Sequence, residues 1–306
     1  KKLFVGVLCV VLSLSVQGKE VNMTSPDGKY QFTLSDSGGQ LHYSLTWNGK
    51  QTVKPSLLGI NANVEWRDGL EIGTVDSSQK DTIWHPVYGE RSEIKDCYHA
   101  WKIVVNRQNG RDKLIFDVRA YDEGIAFRYH FPSGQYLKIT DEYTEYTMPE
   151  GTKAYFTPKA QTPYSYLPLE NWSGESDRPL LLTLADGGYV CLAEAQVVDY
   201  VRTKFNVSPT KKNTVISAMY GPVEDIAPYS TPWRVIMCAD KPGEILEHND
   251  ILLNLNPPCR IKDTSWIKPG KVMREVTLTT EGGKALVDFA VKRNLQYIHF
   301  DAGWYG

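Results

Sequence analysis

The chain has 306 residues, enough for one large domain or two ordinary ones, so a sizeable hydrophobic core is expected and wholesale disorder is excluded. Aromatic residues make up 11%, with 18 Tyr and 8 Trp, which suits β-rich folds and sugar-binding surfaces alike. A formal net charge of −2 gives no long-range field to draw nucleic acid or an anionic membrane, and small neutral substrates fit it better.

Residues 1–18 combine a Lys pair with an apolar run from Leu3 to about Val16 and then small and polar residues. This is the layout of a secretory signal peptide, with cleavage expected after Gly18. The run is shorter than the roughly 20 apolar residues a bilayer span requires, so no stable membrane insertion is expected after cleavage. Cys97, Cys191, Cys238 and Cys259 then remain. They are widely scattered and form no CxxC, and mostly free, buried thiols are expected.

From about Val21 to Asn256 the sequence is a series of short alternating runs, among them KYQFTLSD, LHYSLTWNGK and KLIFDVRAYDEGIAFRYHFP. Turn pairs punctuate them at Asp27-Gly28, Asn48-Gly49, Asn109-Gly110, Ser133-Gly134 and Asp186-Gly187-Gly188. This is the pattern of antiparallel hairpins, and helical periodicity is not expected there. Residues 19–258 therefore read as one very large N-terminal β-sandwich. Within it, the stretch CLAEAQVVDY places Glu194 in an apolar strand. Its carboxylate either points outward or joins oxygen ligands around a Ca²⁺ ion.

Pro257, Pro258 and Pro269 punctuate a connector, after which VMREVTL reads as a strand, Thr280 to Asn294 as an amphipathic helix capped by Thr279 or Thr280, and YIHFD as a second strand. Such a βαβ unit builds parallel sheets and barrels, and alone it cannot cover both faces of its strands. Residues 259–306 are accordingly expected to be a connector and the start of an unfinished barrel or doubly wound sheet, the rest lying beyond Gly306. The last strand delivers Asp301 and Trp304 to its C-terminal end, where barrel enzymes place their sites. A carboxylate for hydroxyls and an indole for a sugar face would suit carbohydrate, whereas the alternative is a turn cap and a packing residue. The Gly282-Gly283 pair lacks the spacing of a phosphate-binding fingerprint.

The segments SPDGKYQFTL, WHPVYGERSEI, DEGIAFRYHFP, LAEAQVVDY, TPWRVIM, LNLNPPC, SWIKPGK and FDAGWYG, in this order, resemble glycoside hydrolase family 97, exported enzymes of Gram-negative bacteria. The resemblance covers the whole mature chain. It implies a mostly β fold, with a β-super-sandwich followed by the first βαβ unit of a truncated (β/α)8 barrel. It also implies a periplasmic or secreted hydrolase of terminal α-linked sugars, of α-galactosidase or α-glucosidase type, acting on an oligosaccharide or α-glycoside. No catalytic residue is assigned within the chain, because the family's catalytic carboxylates lie on later barrel strands. Substrate contacts are expected at Asp301 and Trp304, and the resemblance implies Glu194 as a Ca²⁺ ligand. Cys191 stands where the family has a neighbouring ligand or polar position, a departure that leaves Glu194 alone. The wording of VMREVTLTTEGGK and FDAGWYG is nearer the retaining, α-galactosidase-type branch. The competing reading of the same aromatic-rich sandwich is a non-catalytic carbohydrate-binding module.

Overall fold

A computed structural model describes residues 18–108 and 110–305; the expected signal segment, apart from Gly18, and Asn109 lie outside them. The chain divides into two compact units, one built from the residues up to Ile83 together with Lys95–Pro257, the other from Trp84–Ile94 and Pro258–Gly306. No helix among the described residues is long and apolar enough to cross a membrane.

Among the described residues the first unit holds three antiparallel sheets. The eight-stranded sheet runs, in spatial order, through Glu20–Thr24, Tyr30–Ser35, Leu41–Trp47, Lys50–Leu58, Glu145–Thr147, Thr214–Met219, Thr203–Val207 and Glu175–Ser176. The ten-stranded sheet centres on Tyr189–Ala195, Trp233–Ala239, Ile125–Phe131 and Lys113–Tyr121. A four-stranded sheet carries Tyr136–Glu142 between Val223–Ile226 and Ile60–Ala62. The two large sheets face each other across an aromatic core. Tyr43 from one stands 5.4 Å, ring to ring, from Phe127 of the other, and Phe32 stands 5.9 Å from the same ring.

Local chemistry accounts for the hairpins. Leu41–Trp47 and Lys50–Leu58 meet at the pair Trp47–Lys50, and the two residues between them, Asn48 and Gly49, both take positive φ (50° and 76°). Asn and Gly tolerate that region, and a two-residue turn of this hand matches the twist of the flanking strands. Strands Lys113–Tyr121 and Ile125–Phe131 likewise form a hairpin over Asp122-Glu123-Gly124. Ser133-Gly134 behaves otherwise than expected. Strand Ile125–Phe131 ends before Pro132, which has no N–H to give a ladder, and the chain crosses from the ten-stranded to the four-stranded sheet.

The unit also contains two short helices, Pro242–Glu247 and Asp250–Asn254, in a region read from sequence as strand and turn alone. Proline opens the first helix, and the Glu244 carboxylate accepts from the backbone N–H groups of Asp240 and Lys241. The physical reason for these helices is legible in their neighbour. All seven residues of Trp233–Ala239 are buried, which requires cover on both faces of the sheet. Arg234, Ile236 and Cys238 point between the sheets, and Trp233, Val235, Met237 and Ala239 form a second core with Ile245, Ile251 and Leu255 on the outer face. Cys191 lies in that outer core and Cys238 in the inner one, and burial pushes both thiols up to about 12.

The second unit contains a βαβ arrangement. Val272–Glu275 and Tyr297–Phe300 pair in parallel, Val272 opposite Tyr297 and Glu275 opposite Phe300. Helix Thr280–Lys292 joins them, with the Thr279 side chain accepting from the Gly282 N–H at 3.0 Å. Gly283 and Ala290 are its buried residues, and a Cβ on Gly283 would stand 3.0 Å from the Phe300 ring. Gly283 therefore serves close packing of helix on strand. Phe289 and Val291 are exposed rather than turned to the sheet. Among the described residues this parallel sheet has two strands.

Candidate functional site

Register brings the charged residues of the sandwich together. Glu194 is the direct cross-strand partner of Arg234, and the alternation of Leu192, Glu194 and of Arg234, Ile236 sends both side chains between the sheets. The facing sheet contributes Thr203 and Ser217, the end of Tyr136–Glu142 contributes Glu142, and Arg178 comes from the residues leading into Leu180–Thr183.

Arg234 is the hub. Its Nε donates to Glu142 Oε1 at 2.8 Å and its Nη2 to Glu142 Oε2 at 2.5 Å, a two-pronged pair in which both side chains are 1% exposed. Its Nη1 donates to Glu194 Oε2 at 2.6 Å. Glu142 also accepts from Thr144 Oγ1 at 2.7 Å and from the Tyr200 hydroxyl at 3.1 Å. Arg178 lies 3.4 Å from Glu194 Oε2 and donates from Nε to Thr203 Oγ1 and from Nη2 to Ser217 Oγ, both at 2.8 Å. Its guanidinium carbon stands 3.8 Å from the centre of the Phe205 ring. Two carboxylates and two guanidinium groups make the cluster neutral, which is how four charges are tolerated inside a sandwich.

Electrostatics inside the cluster are strongly biased. Burial alone would raise the Glu142 carboxyl, but Arg234 and the Thr144 hydroxyl outweigh it and hold the group down to about 2. Burial pushes the Tyr200 hydroxyl well above its ordinary range, and the Glu142 charge adds to the effect. Arg178 is lowered from its ordinary value by burial and by Arg234 beside it.

Glu194 is the member of the four with access to solvent, its side chain 19% exposed against 1% for Glu142 and Arg234 and 7% for Arg178. Only its Oε2 is engaged, by Arg234, Thr203 and Arg178. Its Oε1 accepts no hydrogen bond among the described residues. A Ca²⁺ ion takes 6–8 oxygens, and no group of three His, Cys, Asp or Glu residues suited to a metal occurs among the described residues. Glu194 thus fits as one oxygen ligand. It does not make a cation site by itself.

Asp301 and Trp304 follow the C-terminal end of strand Tyr297–Phe300 in the second unit. Asp301 Oδ2 pairs with Arg274 Nη2 at 2.9 Å and Oδ1 accepts from the Ala302 N–H, interactions that hold its carboxyl below the usual range. Trp304 is 59% exposed, its ring 6.2 Å from Phe300 and 5.4 Å from Tyr305. The Asp301 side chain remains 45% exposed to solvent. His85 is exposed and its Nδ1 lies 3.0 Å from the Ser92 carbonyl. Arg178, Arg234 and Glu142 were not singled out from the sequence. The readable signal for Arg234 was a guanidinium within the otherwise apolar run WRVIM.

The charged cluster thus lies between the two large antiparallel sheets of the first unit, and a βαβ unit follows it along the chain. The chain belongs to glycosyl hydrolase family 97, since the model described as Glycosyl-hydrolase 97 N-terminal matches residues 23–258. It is similar to the retaining alpha-galactosidase of Bacteroides thetaiotaomicron, at 26% identity over 99% of this chain and 53% of that protein. It is also similar to a probable retaining alpha-galactosidase of Streptomyces bingchenggensis, at 22% identity over 92% of this chain and 45% of that protein. The chain spans about half the length of these curated relatives. Among solved structures, a glycoside hydrolase family 97 enzyme from Pseudoalteromonas sp. strain K8, in complex with panose, superposes with a TM-score of 0.84 at 25% identity, over 94% of this chain and 48% of that one. A beta-arabinopyranosidase shares the fold, with a TM-score of 0.81 at 19% identity, over 93% of this chain and 51% of that one.

Proposed function

We propose that this chain is the sandwich portion of an exported glycosidase that removes terminal α-linked sugars, α-galactosides in the first place. The observation that supports this most is the similarity to a retaining alpha-galactosidase along 99% of the chain. Glycoside hydrolysis needs a carboxylic acid to protonate the leaving oxygen and a second carboxylate to attack or to activate water. In this reading those two groups belong to chain following Gly306. The residues here bind and orient. Asp301 and Trp304 offer a carboxylate and an open indole to sugar hydroxyls and to a sugar face. Glu194 Oε1 offers one oxygen to a Ca²⁺ ion, which when bound supplies positive charge that favours the ionised form of nearby carboxylates. The panose complex of the Pseudoalteromonas relative supports α-glucosidase specificity as the second reading.

The test uses the full-length protein that carries this chain. Nitrophenol release is measured from α-galactoside and α-glucoside substrates, and proton NMR follows the anomer formed. The expected result is turnover of the α-galactoside with the α-anomer of galactose appearing first. Turnover of the α-glucoside alone would shift the reading to the second specificity. Oligosaccharide binding with no turnover of any α-glycoside would overturn both in favour of a non-catalytic binding module.

A further inference from the structure

We infer that Thr203, Arg178 and Arg234 are positioning residues that anchor one oxygen of Glu194 and so present the other, Oε1, in a fixed direction. This rests on the reading of Glu194 as a Ca²⁺ ligand and goes beyond it, because it assigns work to three residues that would not touch the cation.

The directions of the hydrogen bonds carry the inference. A guanidinium can only donate, so Arg178 Nε, at 2.8 Å, consumes an acceptor lone pair of the Thr203 hydroxyl. The Thr203 proton is thereby turned to Glu194 Oε2 at 3.1 Å. Arg234 Nη1 reaches the same oxygen at 2.6 Å from the strand paired with that of Glu194, and Arg178 lies 3.4 Å away from it. Two hydrogen-bond donors, Thr203 and Arg234, and the Arg178 charge thus converge on Oε2, and among the described residues Oε1 has no partner. Each guanidinium is itself fixed. Arg234 is clamped by both oxygens of Glu142, and Arg178 by Ser217 and the Phe205 ring. A glutamate has several rotatable bonds, and holding it in one rotamer before a cation arrives removes an ordering cost that binding would otherwise meet. The neutrality of the cluster matters equally, because the two guanidinium charges are already balanced by Glu142 and Glu194 and do not repel an incoming cation as a free pair would.

The experiment measures Ca²⁺ affinity by calorimetric titration of the metal-stripped full-length protein, with thermal unfolding as a control on folding. Thr203→Val keeps shape and charge but deletes the donated proton. Arg178→Lys keeps charge but loses the planar fork. Each is expected to weaken Ca²⁺ binding about tenfold, the loss typical of groups that orient a metal ligand, while Thr203→Ser retains the wild-type affinity. Glu194→Gln separates the two levels of the argument. If it binds Ca²⁺ like the wild type, the ligand reading itself fails. If it weakens binding whereas Thr203→Val and Arg178→Lys titrate like the wild type, the ligand reading stands and the positioning inference is overturned. Should Thr203→Val be too unstable to titrate, Ser217→Ala, which releases only Arg178 Nη2, is expected to weaken binding by a smaller factor, and wild-type affinity there would contradict the inference.

Discussion

Replacing Arg234 by Met is expected to destabilise the sandwich by about 3–5 kcal/mol, the cost of leaving a buried carboxylate without its counter-charge. Arg234 and Glu142 are each 1% exposed and joined by two hydrogen bonds, so no water stands ready to replace the guanidinium. Loss of the Nη1 contact to Glu194 adds a smaller penalty, since Glu194 has solvent within reach. Urea unfolding reads the effect as a lower midpoint with an unchanged slope. Removing both charges together, in Arg234→Met with Glu142→Leu, is expected to recover most of the loss, because a buried pair replaced by apolar residues of similar volume is often close to neutral. A single variant within about 1 kcal/mol of the wild type would show that the pair is far more hydrated than its burial indicates.

The second large effect is in the pH dependence of stability. The Glu142 carboxyl falls from an ordinary 4.5 to about 2 in the folded protein, because Arg234 and Thr144 outweigh the opposing effect of burial. A carboxyl lowered on folding binds more protons in the unfolded chain through that interval, so stability rises with pH there. Its contribution is complete above about 4.5 and is lost as the pH falls through about 2. Across that interval the loss is on the order of 3 kcal/mol. In Glu142→Gln this component is absent. The wild type and the variant should therefore differ most near neutral pH and converge towards pH 2, where Glu142 itself is half protonated. Parallel stability curves across the range would mean that Glu142 titrates alike in both states.

The fold was legible where local chemistry decides it. Asn48-Gly49 announces its turn because few other pairs accept positive φ twice in succession, and Thr279 announces the helix that follows it. The helices Pro242–Glu247 and Asp250–Asn254 were missed because five or six residues are too few to show a period of 3.6. Their cause is tertiary, the need to cover the outer face of Trp233–Ala239. Ser133-Gly134 was misread for a related reason, since a turn pair fixes a change of direction and not the sheet to which the next strand belongs. In the candidate site, Glu194 stood out as a carboxylate in an apolar strand, yet its partners Glu142, Arg178 and Arg234 are scattered over 93 positions of the chain, from 142 to 234. Only the register between Tyr189–Ala195 and Trp233–Ala239, and the packing of one sheet on the other, brings those charges to a single point. Pattern along a sequence reports faces and turns. It does not report which buried charges will meet.

The central claim is that the sandwich lends a working group to a glycosidase site and is more than a support for one. The direct measurement is kcat/KM for an α-galactoside in the full-length protein carrying Glu194→Gln, compared with the wild type, with unfolding midpoints taken alongside. The account predicts a fall of at least about 100-fold in a variant that remains folded, in line with the loss of a group that holds a metal. Wild-type turnover in a folded Glu194→Gln protein would contradict it and return the sandwich to a purely structural role.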